Sequence, residues 1–135
     1  MTLEDLKAQF IVDEDVLKVR LEPLISKALS HCKLNKQGQV VILNPQLSAK
    51  DQIMLVLSAR AIAAQLSSEI LASVSFAELH KFTRLPLNQI RARSSGLIES
   101  RLAESPKRGM LRAIPHRVEA FLDSISRPQG ASPTS

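Results

Sequence analysis

The sequence predicts a mainly α fold with small β-hairpins, an α+β protein, and three observations carry that prediction. Residues 53–66 are apolar on nearly every side of a helix, interrupted only by Ser58, Arg60 and Gln65. Residues 33–43 combine β-branched side chains with turn residues, which is typical of a hairpin. Residues 75–102 have the pattern of two short helices joined by a tight turn. We therefore expect several helices around one central helix, with small hairpins beside them.

Residues 1–46 are expected to form an appendage of helices and one small hairpin. Residues 2–5 have the composition of a helix start, and apolar residues recur at helical spacing over 16–31, with a kink or restart at Pro23. This amphipathic segment can pack on its own domain or on a second subunit. A homodimer through the N-terminal helices is therefore one prediction.

Residues 47–126 are expected to form the main domain. Ser48 and Asp51 have the spacing of a capping box, so the central helix should begin there and run to about residue 66. Val74 is a candidate for a single bridging strand, and Pro115 should begin a last helix.

The stretch 75–102 carries the strongest local signals. Ser75 and Glu78 again have the spacing of a capping box, in which each side chain accepts a hydrogen bond from the other residue's backbone N–H. Pro86 has a fixed φ and no N–H donor, which suits the first turn of a second helix. The residues of that helix expected to face inward are Leu87, Ile90, Ser94 and Leu97.

The opposite face of this second helix is slim and polar. Its centre consists of Asn88, Ala92, Ser95 and Gly96, and its flanks carry Gln89, Arg91 and Arg93. A polar centre bordered by guanidinium groups fits a helix that enters the major groove of DNA. The alternative is a solvated helix face that happens to carry two arginines.

A hairpin with a cationic tip is predicted directly after this helix. Residues 105–109, Ser-Pro-Lys-Arg-Gly, supply the turn, and apolar and polar residues alternate over 110–114. A helix-turn-helix followed by such a hairpin is the winged-helix arrangement. Lys107 and Arg108 would then contact phosphates or the minor groove. The full prediction is a winged helix-turn-helix with an N-terminal helical extension.

The run 78–102, ELHKFTRLPLNQIRARSSGLIESRL, resembles winged-helix DNA-binding proteins, in particular small prokaryotic members without an assigned function. The resemblance rests on the segment Asn-Gln-aliphatic-Arg-Ala-Arg at 88–93 and extends more loosely over 39–125. It implies a fold that binds DNA in many proteins and other proteins in some. Three residues depart from the usual pattern, and they bear on how tightly the helices pack: His80 in place of a small residue, Arg84 in place of a turn glycine, and Ser94 in place of an aliphatic residue.

These features predict a double-stranded DNA-binding protein, most simply one that resembles a transcription regulator. The residues expected to approach the DNA are Asn88, Gln89, Arg91, Arg93 and Ser95 on the helix and Lys107 and Arg108 on the hairpin. Four further cations are expected to strengthen the positive electrostatic potential around them: Lys81, Arg84, Arg101 and Arg112. The rival hypothesis is a winged helix that acts as a protein-protein interaction module in a larger assembly. RNA binding is a third.

The charge distribution favours a polyanionic partner for the second half of the chain. The net charge is +5; residues 1–74 contain eight Lys/Arg and eight Asp/Glu, whereas residues 75–135 contain ten and five. The excess charge therefore lies in the half that carries the candidate recognition helix. With no Trp or Tyr and only four Phe, a stacking platform for single strands is poorly supplied, so duplex DNA is the better candidate.

Other functional classes find little support in the sequence. The three histidines are widely spaced and no glycine-rich phosphate loop or nucleophile motif occurs, so we expect no metal, no cofactor and no enzymatic activity. A single cysteine and the lack of a signal-like or membrane-spanning segment predict a cytoplasmic protein without a membrane partner. The polar stretch 127–135 is expected to be disordered.

Overall fold

The computed structural model of the chain describes residues 2–3, 21–44 and 46–126. In chain order its elements are α1 (Leu21–Leu29), β1 (Cys32–Leu34), β2 (Val40–Ile42), α2 (Ala49–Leu66), β3 (Val74–Ser75), α3 (Phe76–Thr83), α4 (Leu87–Glu99), β4 (Ala103–Glu104), β5 (Met110–Ala113) and α5 (Val118–Ser126), with a 3-10 turn at Pro115–Arg117 before α5. The predicted α+β class is confirmed. The predicted first helix, the start of the second and the tail at 127–135 lie outside the described residues, apart from residues 2 and 3.

Helix α2 is the centre of the core, as predicted. The Ser48 hydroxyl accepts a hydrogen bond from the Asp51 N–H at 3.2 Å and so caps the helix start. Every residue from Ile53 to Ala63 is buried, including Ser58 and Arg60. A helix that is apolar on all sides needs neighbours on all sides, and α1, α3, α4, α5 and strands of both sheets pack against it.

The first sheet is the antiparallel hairpin β1–β2, with Lys33 opposite Val41. Its turn is closed by the Asn35 side chain, whose Oδ1 accepts from the N–H groups of Gln37 and Gln39. Gly38 has a φ of +81°, a conformation that residues with a Cβ rarely adopt. The predicted hairpin is therefore present, and its alternate residues face the core.

The second sheet has the strand order β3-β5-β4, and both pairs are antiparallel. Val74 lies opposite Leu111, so the predicted bridging strand is present and pairs with the second strand of the predicted hairpin. The Phe76 N–H donates to the Gly109 carbonyl at 3.0 Å. This bond fixes the start of α3 to the β4–β5 turn.

The second helix was predicted to run to about residue 31, and α1 ends at Leu29. The His31 side chain is buried between the ends of two other segments: its Nδ1 lies 3.3 Å from the Asn44 Nδ2 and its Nε2 lies 3.3 Å from the Ser126 Oγ. Burial lowers the pKa of His31. The chain turns at this residue to begin β1, and this tertiary contact is not visible in the helical periodicity.

Arg60 connects three parts of the fold from inside the core. Its Nε donates to the Leu71 carbonyl at 2.7 Å and its Nη2 to the Ser73 carbonyl at 3.2 Å. Its Nη1 lies 3.3 Å from the Gly38 carbonyl and 3.1 Å from the Glu78 carboxylate. A side chain of α2 therefore holds the first hairpin, the loop before β3 and the start of α3 together.

The capping box at the start of α3 is confirmed. The Ser75 N–H donates to Glu78 Oε1 at 3.1 Å, and the Glu78 N–H donates to Ser75 Oγ at 3.1 Å. Burial alone would raise the pKa of Glu78, but the Ser75 N–H and Arg60 stabilise the carboxylate more strongly. The pKa of Glu78 is consequently below its ordinary value, and the folded state prefers the charged form.

Glu78→Gln should change how stability depends on pH. Because the pKa of Glu78 is lower in the folded than in the unfolded chain, the carboxylate stabilises the fold above its ordinary pKa of 4.5. That contribution is lost as the pH falls through the folded value. In urea unfolding from neutral pH to about pH 3, the free-energy difference between wild type and Glu78→Gln should be largest near neutral pH and shrink on acidification. The control Asn88→Ala alters an exposed amide that does not titrate, so it should show a constant difference. A constant difference for Glu78→Gln as well would contradict the Arg60–Glu78 account.

Arg84 adopts a left-handed backbone conformation at the end of α3. Its φ is 63° and its N–H donates to the His80 carbonyl at 2.8 Å, which is the geometry of a helix C-cap. A residue with a Cβ pays a steric cost there that glycine avoids. Arginine in place of the expected glycine therefore adds steric strain to the turn, and the turn still has the left-handed geometry of a helix C-cap.

Arg84→Gly should give a more stable protein than Arg84→Ala, by about 1 kcal/mol. Both substitutions remove the same cation, and only glycine relieves the left-handed strain. Chemical denaturation of the two variants measures the difference. An alanine variant at least as stable as the glycine variant would show that the strain is not there.

Candidate nucleic-acid interface

Helix α4 buries one face against α2. Ile90, Ser94 and Leu97 are buried, as predicted, but the prediction that Leu87 faces inward is wrong, since it is 41% exposed. Three residues turn a helix by about 300°, so Leu87 lies at the edge of the face centred on Ile90. The hydroxyl of Ser94 is buried and has no hydrogen-bond partner among the described residues. The face is thus anchored by two large apolar side chains and a small polar one.

The exposed face of α4 carries the predicted helix residues. Asn88, Ala92 and Ser95 form a strip along the helix, and all three are exposed. Arg91 and Arg93 are exposed as well, and at about 100° per residue they project on opposite sides of this strip. Gln89, on the Arg93 side, is partly exposed. The arrangement is a small polar surface with Arg91 along one edge and Arg93 farther round the helix, beyond Gln89.

The N-terminus of α4 is electrostatically suited to an anion. Pro86 supplies no side-chain cap, Asn88 Oδ1 accepts from the Gln89 N–H at 2.9 Å, and the first turn contains no acidic residue. Unpaired N–H groups and the helix dipole give such an end a partial positive charge. The sole acidic residue of the helix, Glu99, lies at the opposite end.

The turn between α3 and α4 is held by side chains that the sequence did not indicate. The Thr83 hydroxyl donates to the Leu79 carbonyl at 2.6 Å and accepts from the Leu85 N–H at 3.2 Å. The exposed His80 lies with Nδ1 2.7 Å from the Leu85 carbonyl, so that nitrogen carries the proton. His80 therefore ties the turn rather than packing between the helices.

The tip of the β4–β5 hairpin is a tight turn with two exposed cations. The Ser105 hydroxyl donates to the Lys107 carbonyl at 2.7 Å, and the Met110 N–H donates to the same carbonyl at 3.0 Å. Gly109 has a φ of +77°, which allows the chain to reverse. Lys107 and Arg108 are exposed and form no ion pair within the described part of the chain.

The remaining predicted contact residues lie in three different surroundings. Arg112 donates to the Glu104 carboxylate across the β4–β5 pair, which offsets part of its charge. Arg101 is exposed immediately after α4, with a left-handed φ of 61°. Lys81 and Arg84 border a separate groove of about 580 Å³ between the end of α3 and strand β2. The predicted residues of α4 therefore lie on one helix, whereas the other four cations lie on neighbouring elements.

Metal and membrane features are not evident in this part of the chain. The described residues contain no group of three or more potential metal ligands. None of the helices in the described ranges has the length and apolar character needed to cross a membrane.

No protein-family model, curated protein or solved structure matches the chain.

Thr83→Val should loosen the α3–α4 turn. Valine has nearly the shape of threonine but removes both hydrogen bonds of the hydroxyl, which leaves the Leu85 N–H without its partner. We expect a loss of about 1–2 kcal/mol in the free energy of unfolding, measured by urea denaturation. Thr83→Ser keeps the hydroxyl and should lose less. If the serine variant is the less stable of the two, packing of the methyl group rather than hydrogen bonding holds the turn.

Proposed function

We propose that the chain is a winged helix-turn-helix protein that binds double-stranded DNA, most simply in the manner of a transcription regulator. Helix α3, the short turn and α4 correspond to the helix-turn-helix, and the β4–β5 hairpin corresponds to the wing. The observation that carries the proposal is the exposed polar strip of α4 with exposed Arg91 on one side and exposed Arg93 on the other. A helix of this shape and charge fits a major groove, where its centre reads bases and its edges meet phosphates.

The centre of the strip supplies groups for base recognition. The amide of Asn88 lies in the first turn, and an asparagine can pair with the N6 and N7 edge of adenine. Ala92 is small enough to let the helix approach closely and to contact a thymine methyl group. Ser95 adds a hydroxyl one turn further on. A matched amide-adenine pair is worth about 1–3 kcal/mol of discrimination.

The hairpin tip supplies phosphate contacts outside the groove. Lys107 and Arg108 form no ion pair within the described residues, so no carboxylate has to be displaced before they attract a phosphate. The hydrogen bonds of the turn fix the backbone that carries both side chains. Binding through these residues would add affinity without base preference.

An interaction module for another protein is the second candidate, and one observation favours it. Leu87 and Ile98 are each 41% exposed and lie on the same side of α4 as Arg91. An apolar flank of this kind is common at protein interfaces. The lack of any acidic residue before Glu99 and the unpaired cations favour DNA.

Replacing both Arg91 and Arg93 by alanine should weaken duplex binding and reduce its salt dependence. Each lost phosphate contact lowers the slope of log K against log salt by about one, so the double variant should lose about two. The control replaces two exposed lysines elsewhere, Lys36 and Lys50, and removes the same charge. Fluorescence anisotropy with mixed-sequence duplex DNA over a range of salt concentrations measures both.

Asn88→Ala should instead relax base preference and leave the salt slope unchanged.

The proposal fails if wild-type protein does not bind duplex DNA at low salt, or if the arginine and lysine double variants lose the same amount of affinity and slope. A preference for structured RNA at equal salt would replace DNA by RNA as the partner.

A further inference from the structure

The groove between β2 and the end of α3, the β2 groove, runs along the free edge of that strand. Its lining residues are Gln39, Val40, Val41, Ile42, Gln52, Lys81, Phe82, Thr83 and Arg84. Successive side chains of a strand point to opposite faces of a sheet, yet every residue of β2 lines this groove and no residue of β1 does. The groove therefore lies beside the edge of β2 that is turned away from β1.

The register of the β1–β2 hairpin decides which backbone groups this edge presents. The Asn35 N–H donates to the Gln39 carbonyl at 3.1 Å, and Val41, two residues further on, lies opposite its partner in β1. Every second pair of an antiparallel ladder is hydrogen-bonded, so the N–H and carbonyl groups of Val40 and Ile42 point to the outer edge. These groups have no hydrogen-bond partner within the described residues. The edge of β2 is thus open to a further strand.

The unpaired groups at this edge favour a partner other than water. Val40 is only 4% exposed although it lines the groove, so bulk water reaches its backbone poorly. A shielded N–H or carbonyl without a partner costs free energy, and an added strand supplies both a donor and an acceptor at the right spacing. The backbone of the groove is therefore suited to an extended chain.

The charge of the β2 groove is positive. Lys81 and Arg84 line it, both are exposed, and neither forms an ion pair within the described residues. None of the lining residues is acidic. Val41, which is 58% exposed, and the partly exposed Phe82 add apolar surface. The groove complements a chain that carries both carboxylates and apolar side chains.

We propose that the β2 groove binds an extended acidic segment of a partner protein, which joins the sheet as a third strand beside β2. Its backbone pairs with Val40 and Ile42, and its carboxylates meet Lys81 and Arg84. Alternate acidic and apolar residues suit the site, because an extended chain presents them on opposite faces. A nucleic acid would satisfy the cations but offers no strand to the open edge, whereas a peptide satisfies both. The proposal goes beyond DNA binding and does not depend on it.

A hexapeptide of alternating glutamate and valine, labelled with fluorescein, should bind the full chain in fluorescence anisotropy. Lys81→Glu turns an attraction into a repulsion, so the dissociation constant should rise by about 5-fold. A matched peptide with lysine in place of glutamate should bind wild type more weakly, and should bind Lys81→Glu more tightly than it binds wild type. The control Lys36→Glu reverses an exposed charge that does not line the groove, and it should leave the dissociation constant unchanged.

N-methylated peptides test the addition of a strand. In an extended chain the N–H groups of alternate residues point to the same edge, so methylation of all glutamate or all valine nitrogens removes the donors of one edge only. One of the two methylated peptides should bind about 10-fold more weakly, and the other should bind as before. An equal effect of both methylations overturns the pairing with β2.

Three outcomes overturn the peptide site as a whole. The first is wild-type protein that does not bind the glutamate peptide, and the second is Lys81→Glu protein that binds it as tightly as wild type does. The third is duplex DNA that displaces the peptide and is weakened by Lys81→Glu to the same extent, which would assign the cations of the groove to DNA. Loss of duplex binding in the Arg91 and Arg93 double variant with unchanged peptide binding would keep the two sites separate.

Discussion

The guanidinium of Arg60 lies in the core, 5% exposed, with three carbonyl oxygens and one carboxylate around it. A buried charge without partners would be very costly, and removing the partner of a buried charge typically costs about 3–5 kcal/mol. The backbone of the first hairpin, the loop before β3 and the start of α3 must therefore stay where Arg60 can reach them. The carboxylate of Glu78 is shared between this network and the capping box of α3. The orientation of α3 is thus set from the centre of the molecule.

The position of α4 follows from that of α3. The turn between them has only three residues, and the bonds of Thr83 and His80 restrict it further. On the other side, Ile90 and Leu97 fix the buried face of α4 against the core. What remains outside is the polar strip, with Arg91 on one side of it and Arg93 on the other. Buried and exposed arginines therefore have different tasks: Arg60 organises the fold, and the exposed pair is free to meet an anion.

Local patterns in the sequence were sufficient for most of the elements. The capping box at Ser75, the turn residues of both hairpins and the apolar stretch of α2 are short-range signals, and each predicted its element. The same signals predicted the exposed strip of α4. They could not show that Leu87 is exposed at the edge of the buried face, because its burial depends on which parts of the fold lie opposite it.

Long-range partners were beyond the reach of the sequence. Arg60 was recognisable only as an interruption of an apolar helix, since its partners lie between 11 and 22 residues away along the chain. The pairing of Arg112 with Glu104 depends on the strand register, and the left-handed conformation of Arg84 depends on how α3 ends. The predicted contact residues on α4 are spread over its exposed side, with Arg91 and Arg93 on opposite sides of the polar strip, whereas Lys81 and Arg84 border another groove. Whether all of these residues touch one ligand stays a prediction.

The most direct test of the account is an NMR titration of the full chain with duplex DNA, followed through backbone amide and arginine side-chain signals. The account predicts that the largest changes occur at Asn88, Arg91, Ala92, Arg93 and Ser95, with a second group at Lys107 and Arg108. Signals of Leu29 on α1 and Leu66 at the end of α2, which are exposed residues outside this surface, should stay in place. Changes that spare α4 and the hairpin tip, or an unchanged spectrum at low salt, would contradict it.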